Sequence, residues 1–157
     1  MNITLIAIGK TDNALLRELI QTYTNRLGRY VNFEWVIIPD IKNSKNMTES
    51  QQRQMEGENL LKRLQPADRL VLLDEKGKEY TSLSFATSLQ QHMNSGIKRL
   101  VFVIGGPYGF SPQVYEKATA MLSLSKMTFS HQMVRLFAVE QIYRAFTILR
   151  NEPYHHR

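Results

Sequence analysis

The sequence contains no cysteine in its 157 residues. A chain without cysteine forms no disulfide, builds no thiolate zinc site and has no cysteine nucleophile. Long apolar runs are also missing, since none approaches the roughly 20 residues that a membrane-spanning helix needs. The opening segment MNITLIAIGK has no basic leader, and its apolar stretch is too short for a signal peptide. We therefore expect a cytoplasmic protein whose chemistry does not depend on a thiol.

Histidine is also scarce, with four in the chain. His131, His155 and His156 lack both a second histidine at helical i, i+4 spacing and a companion cluster of carboxylates. His92 falls on a predicted helix of ordinary surface character. We therefore expect no bound metal.

Acidic residues are outnumbered, with 14 Asp and Glu against 20 Lys and Arg, which gives a formal net charge of +6. This moderate excess of positive charge favours polyanionic partners such as nucleic acid. A basic protein without such a partner is the alternative that the composition leaves open.

No internal repeat, low-complexity tract or linker interrupts the sequence. Its length is close to the commonest size of a single domain. A hydrophobic content of 43% with 22% charged residues is ordinary for a globular protein. The sequence therefore predicts one domain over residues 1–157.

Short apolar runs alternate with helical patterns along the chain. The predicted strands are residues 3–8, 33–38, 69–74, 100–104 and 124–129, and a helix follows each of them. The nearly continuous apolar character of residues 3–8 is typical of a strand that is buried on both faces of a parallel sheet. This alternation predicts an α/β fold, with a mainly parallel sheet and helices on both faces.

Capping residues indicate where the helices begin. Asp12 is the predicted cap of the first helix, whose apolar face packs on the sheet. That face comprises Leu15, Leu16, Leu19, Ile20, Tyr23 and Leu27. Thr48 begins a capping box with Gln51. Ser111, which is followed by proline, begins a short helix that we expect to end at residue 122.

The last predicted helix, from about Gln132 to Arg150, is apolar around much of its circumference. A helix of this kind is buried in a core or in a subunit interface, and we favour a dimer. The polar residues embedded in it are Arg135, Glu140, Tyr143 and Arg144. Such side chains are costly to bury unless they are paired, so they are either structural ion pairs or site residues.

Ligands on parallel sheets of this type bind at the carboxyl ends of the strands. Three predicted loops reach that edge: after Leu73, after Ile104 and around Phe129. The second of these, GGPYG at residues 105–109, lacks the spacing of a dinucleotide fingerprint, and GKT at residues 9–11 lacks the upstream glycine of a P-loop. Three glycines nevertheless let a ligand approach the main chain closely, so we expect a ligand site there.

Four segments carry a specific resemblance: IGGPYGFS at residues 104–111, LSLSKMTFSHQMVR at 122–135, EQIYRA at 140–145 and NEPYHHR at 151–157. They resemble the ribosomal RNA large subunit methyltransferase H family, and the resemblance spans the whole chain. Members of that family are SPOUT-class enzymes that use S-adenosylmethionine. They methylate N3 of a pseudouridine in the helix 69 loop of 23S rRNA, in the assembled ribosome.

The resemblance implies a deep trefoil knot in the carboxy-terminal part of the α/β fold and a homodimer that completes the site. The cofactor-binding residues that it implies are Leu73, Gly105, Leu124, Ser125, Lys126, Met127, Thr128 and Phe129. The catalytic residues that it implies are Arg144, Tyr154 and His155, with His131 as a further candidate. The resemblance leaves open whether His156 or Arg157 supplies the basic residue after the family's PYH ending. It assigns no role to Tyr108.

The proton on N3 must leave during methyl transfer, which calls for a base or for a group that stabilises the anionic ring. His155 as the base and an electrostatic pathway through Arg144 are the two alternatives. The function also has alternatives. One is a non-catalytic ribosome-binding or assembly factor with the same fold, and another is a SPOUT methyltransferase that acts on a different RNA.

Overall fold

The structure is a computed structural model that describes residues 1–156. Its strands are β1 (Asn2–Ile8), β2 (Asn32–Ile38), β3 (Arg69–Glu79), β4 (Arg99–Ile104) and β5 (Ala120–Ser123). Its α-helices are α1 (Ala14–Leu27), α2 (Glu49–Leu61), α3 (Ser82–Asn94), α4 (Pro112–Lys117) and α5 (Met133–Leu149). A 3-10 turn at Ser44–Asn46 precedes α2. Strands and helices alternate as predicted.

The five strands pair in parallel, in the order β2-β1-β4-β3-β5. The predicted α/β class is therefore confirmed. After β4 the chain passes through α4 to reach β5 at the far edge beyond β3, and it then returns to α5, which packs against α1 and α3. The resemblance implies a knot in this part of the chain, between β4 and α5, and the knot stays a prediction.

Alternating side chains bury the sheet on both faces. In β1, Ile3 and Leu5 face the layer formed by α1, α3 and α5, whereas Ile6 and Ile8 face the layer formed by α2 and α4. Strand β4 alternates in the same way. Burial on both faces explains why these strands are continuous apolar runs in the sequence.

Three predicted boundaries are wrong. Strand β3 continues past Asp74 to Glu79. The fifth strand is Ala120–Ser123 and not residues 124–129, and α4 is shorter than expected, ending at Lys117. Residues 124–129 turn away from the sheet, where the Ser125 hydroxyl accepts a hydrogen bond of 3.0 Å from the N–H of Met127. The predicted strand is therefore a loop at the carboxyl edge of the sheet.

The helix caps agree with the sequence except at α1. Asn13, and not Asp12, caps that helix, and its side chain accepts two main-chain N–H groups. The capping box at Thr48 is confirmed, and so is the cap at Ser111, which accepts from the N–H of Val114.

The apolar face of α1 is divided between the core and the surface. Leu16, Ile20 and Leu27 are buried against the sheet, as predicted. Leu15 and Leu19 are 70% and 48% exposed, so the prediction that they pack on the sheet is wrong. Each is next in sequence to a buried residue, and one residue along a helix turns the side chain by about 100°.

Within residues 1–156, no helix is both long enough and apolar enough to cross a membrane. Over the same part of the chain, no group of three or more His, Asp and Glu side chains could hold a metal ion. The open question about Arg157 lies outside the described residues.

Candidate cofactor cavity and tail cluster

Residues 73–76 of β3 and the carboxyl ends of β4 and β5 surround a cavity of about 560 Å³, a size typical of small-molecule sites. We call it the strand-end cavity. All three segments chosen from the sequence contribute to its wall, although the residues after Leu73 belong to β3 and not to a loop. Seven of the predicted cofactor residues line it: Leu73, Gly105, Leu124, Ser125, Met127, Thr128 and Phe129. Lys126 is not among the lining residues.

The glycine loop, residues 105–109, forms one wall of this cavity. The N–H of Gly109 donates to the carbonyl of Gly106 at 3.2 Å, and Gly109 has a φ of 77°, which side chains disfavour. A Cβ on Gly105 would lie 3.0 Å from the ring of Phe110. The loop therefore needs its glycines, and their missing side chains leave the main chain accessible from the cavity.

Helix α2 supports the glycine loop from behind. Arg53 Nη1 donates to the carbonyl of Tyr108 at 3.5 Å. Gly57 brings the helix so close that a Cβ there would lie 2.6 Å from Ser111 Oγ. Glu49, at the start of the helix, lines the cavity itself. These α2 residues are spaced by four along the chain, so one stripe of the helix faces the loop.

Charged and phenolic groups surround the mouth of the cavity. The hydroxyl of Tyr115 donates to Asp74 Oδ2 at 2.5 Å, and both residues line the cavity. Burial and the hydrogen bond to Asp74 raise the pKa of Tyr115 to about 12, so the phenol remains a donor. Glu49 and Glu75 add negative charge, and Lys76 adds one cation. Such a rim favours a ligand that carries positive charge.

Tyr115 and Glu49 also line the cavity, and neither was predicted from the sequence. Tyr115 could have been found, because it lies one turn after the recognised cap at Ser111, directly behind the glycine loop. Glu49 has no comparable signal. Its position depends on how α2 crosses the sheet, which no local pattern reveals.

The amino end of α5 closes another side of the cavity through His131 and Val134. Arg135 ties this end to β1, since its Nη atoms donate to the carbonyls of Ile8 at 2.9 Å and Gly9 at 2.6 Å. Arg135 was expected to be an ion pair or a site residue. Instead, main-chain carbonyls satisfy its buried guanidinium.

A second group of polar residues lies at the carboxyl end of α5. It consists of Glu140, Arg144, Tyr154 and His155, and we call it the tail cluster. Arg144 Nη2 and the Tyr154 hydroxyl both donate to Glu140 Oε1, at 2.6 and 2.9 Å. Arg144 Nη1 lies 3.2 Å from His155 Nδ1. The structure thus brings together the three residues predicted as catalytic, and Glu140 is an acceptor that two of them share.

The electrostatics of the tail cluster fix the state of its groups. Burial lowers the pKa of Arg144, but the hydrogen bond and the charge of Glu140 outweigh it and raise the pKa overall. Burial and the hydrogen bonds with Tyr23 and Glu140 raise the pKa of Tyr154. Because a guanidinium only donates, a hydrogen bond between Arg144 Nη1 and His155 requires Nδ1 to be the acceptor.

The tail cluster and the strand-end cavity lie toward opposite ends of α5. Arg144 follows Val134, which lines the cavity, by ten residues, or about 15 Å at the helical rise of 1.5 Å per residue. His131 lines the cavity, whereas the described residues of the tail cluster do not. One chain alone therefore does not bring the predicted catalytic residues to the predicted cofactor residues.

Large apolar side chains are exposed at the amino ends of α1 and α5. We call them the amino-end patch: Leu15, Leu19, Met133 and Phe137, which are between 38% and 70% exposed. The two helix ends are held together by Gln132, whose side chain accepts from the N–H of Asp12 at 2.8 Å and donates to the carbonyl of Lys10 at 3.3 Å. The amino-end patch therefore consists of two pairs of exposed apolar side chains, one pair on each of two helix ends that Gln132 joins.

The sequence matches one protein family over nearly its whole length. The family described as "Predicted SPOUT methyltransferase" matches residues 1–155. A Flavobacterium johnsoniae protein named "Ribosomal RNA large subunit methyltransferase H" is 64% identical over 157 residues, which is 100% of both chains. Proteins of the same name from Flavobacterium psychrophilum and Parabacteroides distasonis are 62% identical over 157 residues and 63% identical over 156 residues. These alignments cover 100% and 99% of the chains compared.

Proposed function

Because the chain belongs to the SPOUT methyltransferase family, we propose that it transfers a methyl group from S-adenosylmethionine to N3 of a pseudouridine. The target lies in the helix 69 loop of 23S rRNA, in the assembled ribosome of the cytoplasm. The observation that carries this proposal is the strand-end cavity, where residues 73–76 of β3 and the loops after β4 and β5 meet around an accessible main chain. The names of the relatives support a ribosomal RNA substrate, and the N3 position and the pseudouridine rest on the sequence resemblance.

The lining of the strand-end cavity fits S-adenosylmethionine. Leu73, Leu124 and Phe129 offer apolar surface to the adenine ring, and the glycine loop offers main-chain N–H and C=O groups to its edges. The carboxylates of Glu49 and Asp74 suit the cofactor's positive charges. When bound, the cofactor supplies an electrophilic methyl group. The protein's own task is then to hold the cofactor and the target nitrogen in line.

The working form that we propose is a homodimer in which each cavity receives the tail cluster of the other chain. Within one chain the strand-end cavity and the tail cluster lie toward opposite ends of α5. A second copy would cover the exposed apolar side chains of the amino-end patch. If the α5 helices of the two copies run antiparallel about a two-fold axis, the carboxyl end of one lies beside the amino end of the other.

The proton on N3 leaves, in our proposal, by an electrostatic pathway and not through His155. His155 Nδ1 lies 3.2 Å from Arg144 Nη1, a group that can only donate, so in this arrangement Nδ1 is not available as a proton acceptor. Arg144 is a permanent cation that stabilises negative charge on the target ring as the proton passes to water. The Nε2–H of His155 remains as a donor that orients the ring.

This assignment predicts a small effect for His155→Ala. We expect the single-turnover rate of methylation to fall by less than about tenfold, because a general base contributes about 10²–10⁴ and an orienting donor less. The rate is measured by quenched-flow transfer of labelled methyl at saturating enzyme. A loss of three orders of magnitude, with an unchanged thermal midpoint, would make His155 the base.

Two other functions remain as alternatives. A non-catalytic ribosome-binding or assembly factor would share the charge and the cavity, and a SPOUT methyltransferase with another target would share the chemistry as well. The tail cluster favours an enzyme, since binding alone does not require a guanidinium, a carboxylate, a phenol and an imidazole joined in one network.

Transfer of labelled methyl from S-adenosylmethionine to ribosomes tests all three functions. We expect ribosomes that lack the modification to be labelled, and the labelled nucleoside to be N3-methylpseudouridine. Ribosomes that already carry the methyl group are the control and should take up no label. Binding without label would indicate the assembly factor, and a different labelled nucleoside would indicate another target.

A further inference from the structure

Glu56 is a buried carboxylate that the proposed chemistry does not use. It lies on α2 and is 2% exposed, and within residues 1–156 neither of its side-chain oxygens has a hydrogen-bond partner. Leaving an ionisable group buried and unpaired is costly, and such groups are uncommon in folded proteins. The stability of the fold alone gives no reason for a carboxylate at this position.

The carboxylate of Glu56 lies directly against the glycine loop. A Cβ built on Gly106 would be 2.5 Å from Oε2 and 2.7 Å from Oε1, so only a glycine leaves room for this contact. The neighbouring Gly57 packs equally close to Ser111, which follows the loop. Glu56 therefore packs between α2 and the main chain of the glycine loop, on the side away from the cavity.

The surroundings of Glu56 disfavour its charge. Burial raises the pKa of Glu56, and the carboxylate of Asp40 adds to the rise. The side chain of Gln52, one turn earlier on α2, lowers the pKa in part but makes no hydrogen bond of good geometry to the carboxylate. The loop residue in contact, Gly106, has no side chain to compensate the charge.

We propose that Glu56 is a positioning residue for the cofactor, and that its carboxylate accepts hydrogen bonds from glycine-loop N–H groups when the cofactor is bound. This inference rests on the proposed function of the strand-end cavity. Pro107 has no N–H, so the main-chain donors on either side of it are the N–H groups of Gly106 and Tyr108. The unpaired carboxylate is costly in the free protein, and the bound form of the loop relieves that cost.

Glu56→Gln separates this role from a merely structural one. Removing a buried, unpaired charge should leave the thermal midpoint of the free protein unchanged or raise it. The same change should weaken binding of S-adenosylhomocysteine, measured by calorimetry, by about tenfold or more, because a charge-assisted acceptor is lost. Glu58→Gln is the matched control. It removes the same charge from an exposed position on α2, and both quantities should stay as in the wild type.

The pH dependence of binding gives a second readout. If the bound loop donates to the ionised carboxylate, the pKa of Glu56 is lower in the bound form, so affinity rises as pH rises through the pKa of the free protein. Glu49, Asp74 and His131 also line the cavity and are unchanged in Glu56→Gln. The difference between the pH profiles of affinity for the wild type and Glu56→Gln therefore reports on Glu56. Identical profiles would show that Glu56 is not involved in binding.

The outcomes are distinct. Higher or equal stability with weaker binding supports the positioning role. Parallel losses of stability and affinity would make Glu56 a structural residue, and unchanged affinity would remove it from cofactor binding. If the wild-type protein itself binds no S-adenosylhomocysteine, the proposed function of the cavity fails, and this inference fails with it.

Discussion

Replacing Arg135 with methionine is expected to lower the free energy of unfolding by about 3–5 kcal/mol. The guanidinium is 2% exposed and donates to the carbonyls of Ile8, Gly9 and His131 and to the hydroxyl of Thr11, at 2.6 to 3.1 Å. Methionine fills much of the same volume but leaves the acceptors of Ile8, Gly9 and Thr11 buried without this donor, at about 1–3 kcal/mol each. Urea unfolding followed by circular dichroism measures the loss.

The geometry of the donors matters as much as the charge of Arg135. Burial lowers its pKa, and the nearby carboxylates of Asp12 and Asp40 oppose that effect. The acceptors match a planar fork of N–H groups, which lysine does not have. Arg135→Lys should therefore recover only a small part of the stability that the methionine variant loses.

Arg17→Met is the matched control for Arg135→Met. Arg17 also donates to this loop, to the carbonyls of Thr11 and Asp12, but it is exposed. We expect its removal to change the free energy of unfolding by no more than about 0.5 kcal/mol, as for other surface substitutions. Equal losses for the two variants would show that burial of the Arg135 acceptors is not the cause.

The sheet could be predicted from the sequence because its signals are local. Strands β1 and β4 are buried on both faces and so are continuous apolar runs, and the caps at Thr48 and Ser111 act over three residues. Residues 124–129 were wrongly predicted as a strand, because their apolar and β-branched side chains suit one. The turn at Ser125 takes them out of the sheet, so composition indicated a strand where the chain forms a cavity wall.

The position of the site was predictable at the level of strand ends, but its supporting contacts were not. Leu73, Gly105 and Phe129 line one cavity because parallel strands bring their carboxyl ends to one edge. Glu56 lies in the polar stretch QRQMEGEN, which resembles a surface helix in the sequence. Its burial depends on Gly106, which is fifty residues away along the chain and reaches α2 only in the folded sheet.

Mixing two inactive variants is expected to restore methyl transfer if each site combines two chains. Thr128→Trp fills the strand-end cavity from an exposed loop position, so it should block the cofactor without unfolding the protein. Arg144→Gln removes the cation of the tail cluster and should cost about 10²–10³ in the single-turnover rate. Each variant alone forms only sites with a defect, so each should be nearly inactive.

Two controls are needed for the mixing experiment. One shows that chains exchange between dimers, and the other shows that the loss of rate in Arg144→Gln is specific to that residue. Arg150→Gln removes an exposed arginine near the same end of α5, where its guanidinium lies 5.5 Å from the centre of the Tyr30 ring. It should leave the rate unchanged and, mixed with Thr128→Trp, should contribute its own full activity. Native mass spectrometry verifies that mixed dimers form before the rates are compared.

The fraction of the wild-type rate that mixing restores distinguishes a site shared by two chains from a site completed within one chain. Random exchange makes half of the dimers mixed, and a mixed dimer has one site in which an unaltered cavity meets an unaltered tail cluster. The rate should therefore recover to roughly a quarter of the wild-type value. If a single chain completed its own site, mixing would give no more than the sum of the two variants, even with mixed dimers present. The chain would then have to bring Arg144 to its own cavity across about 15 Å of α5, which a continuous helix does not permit.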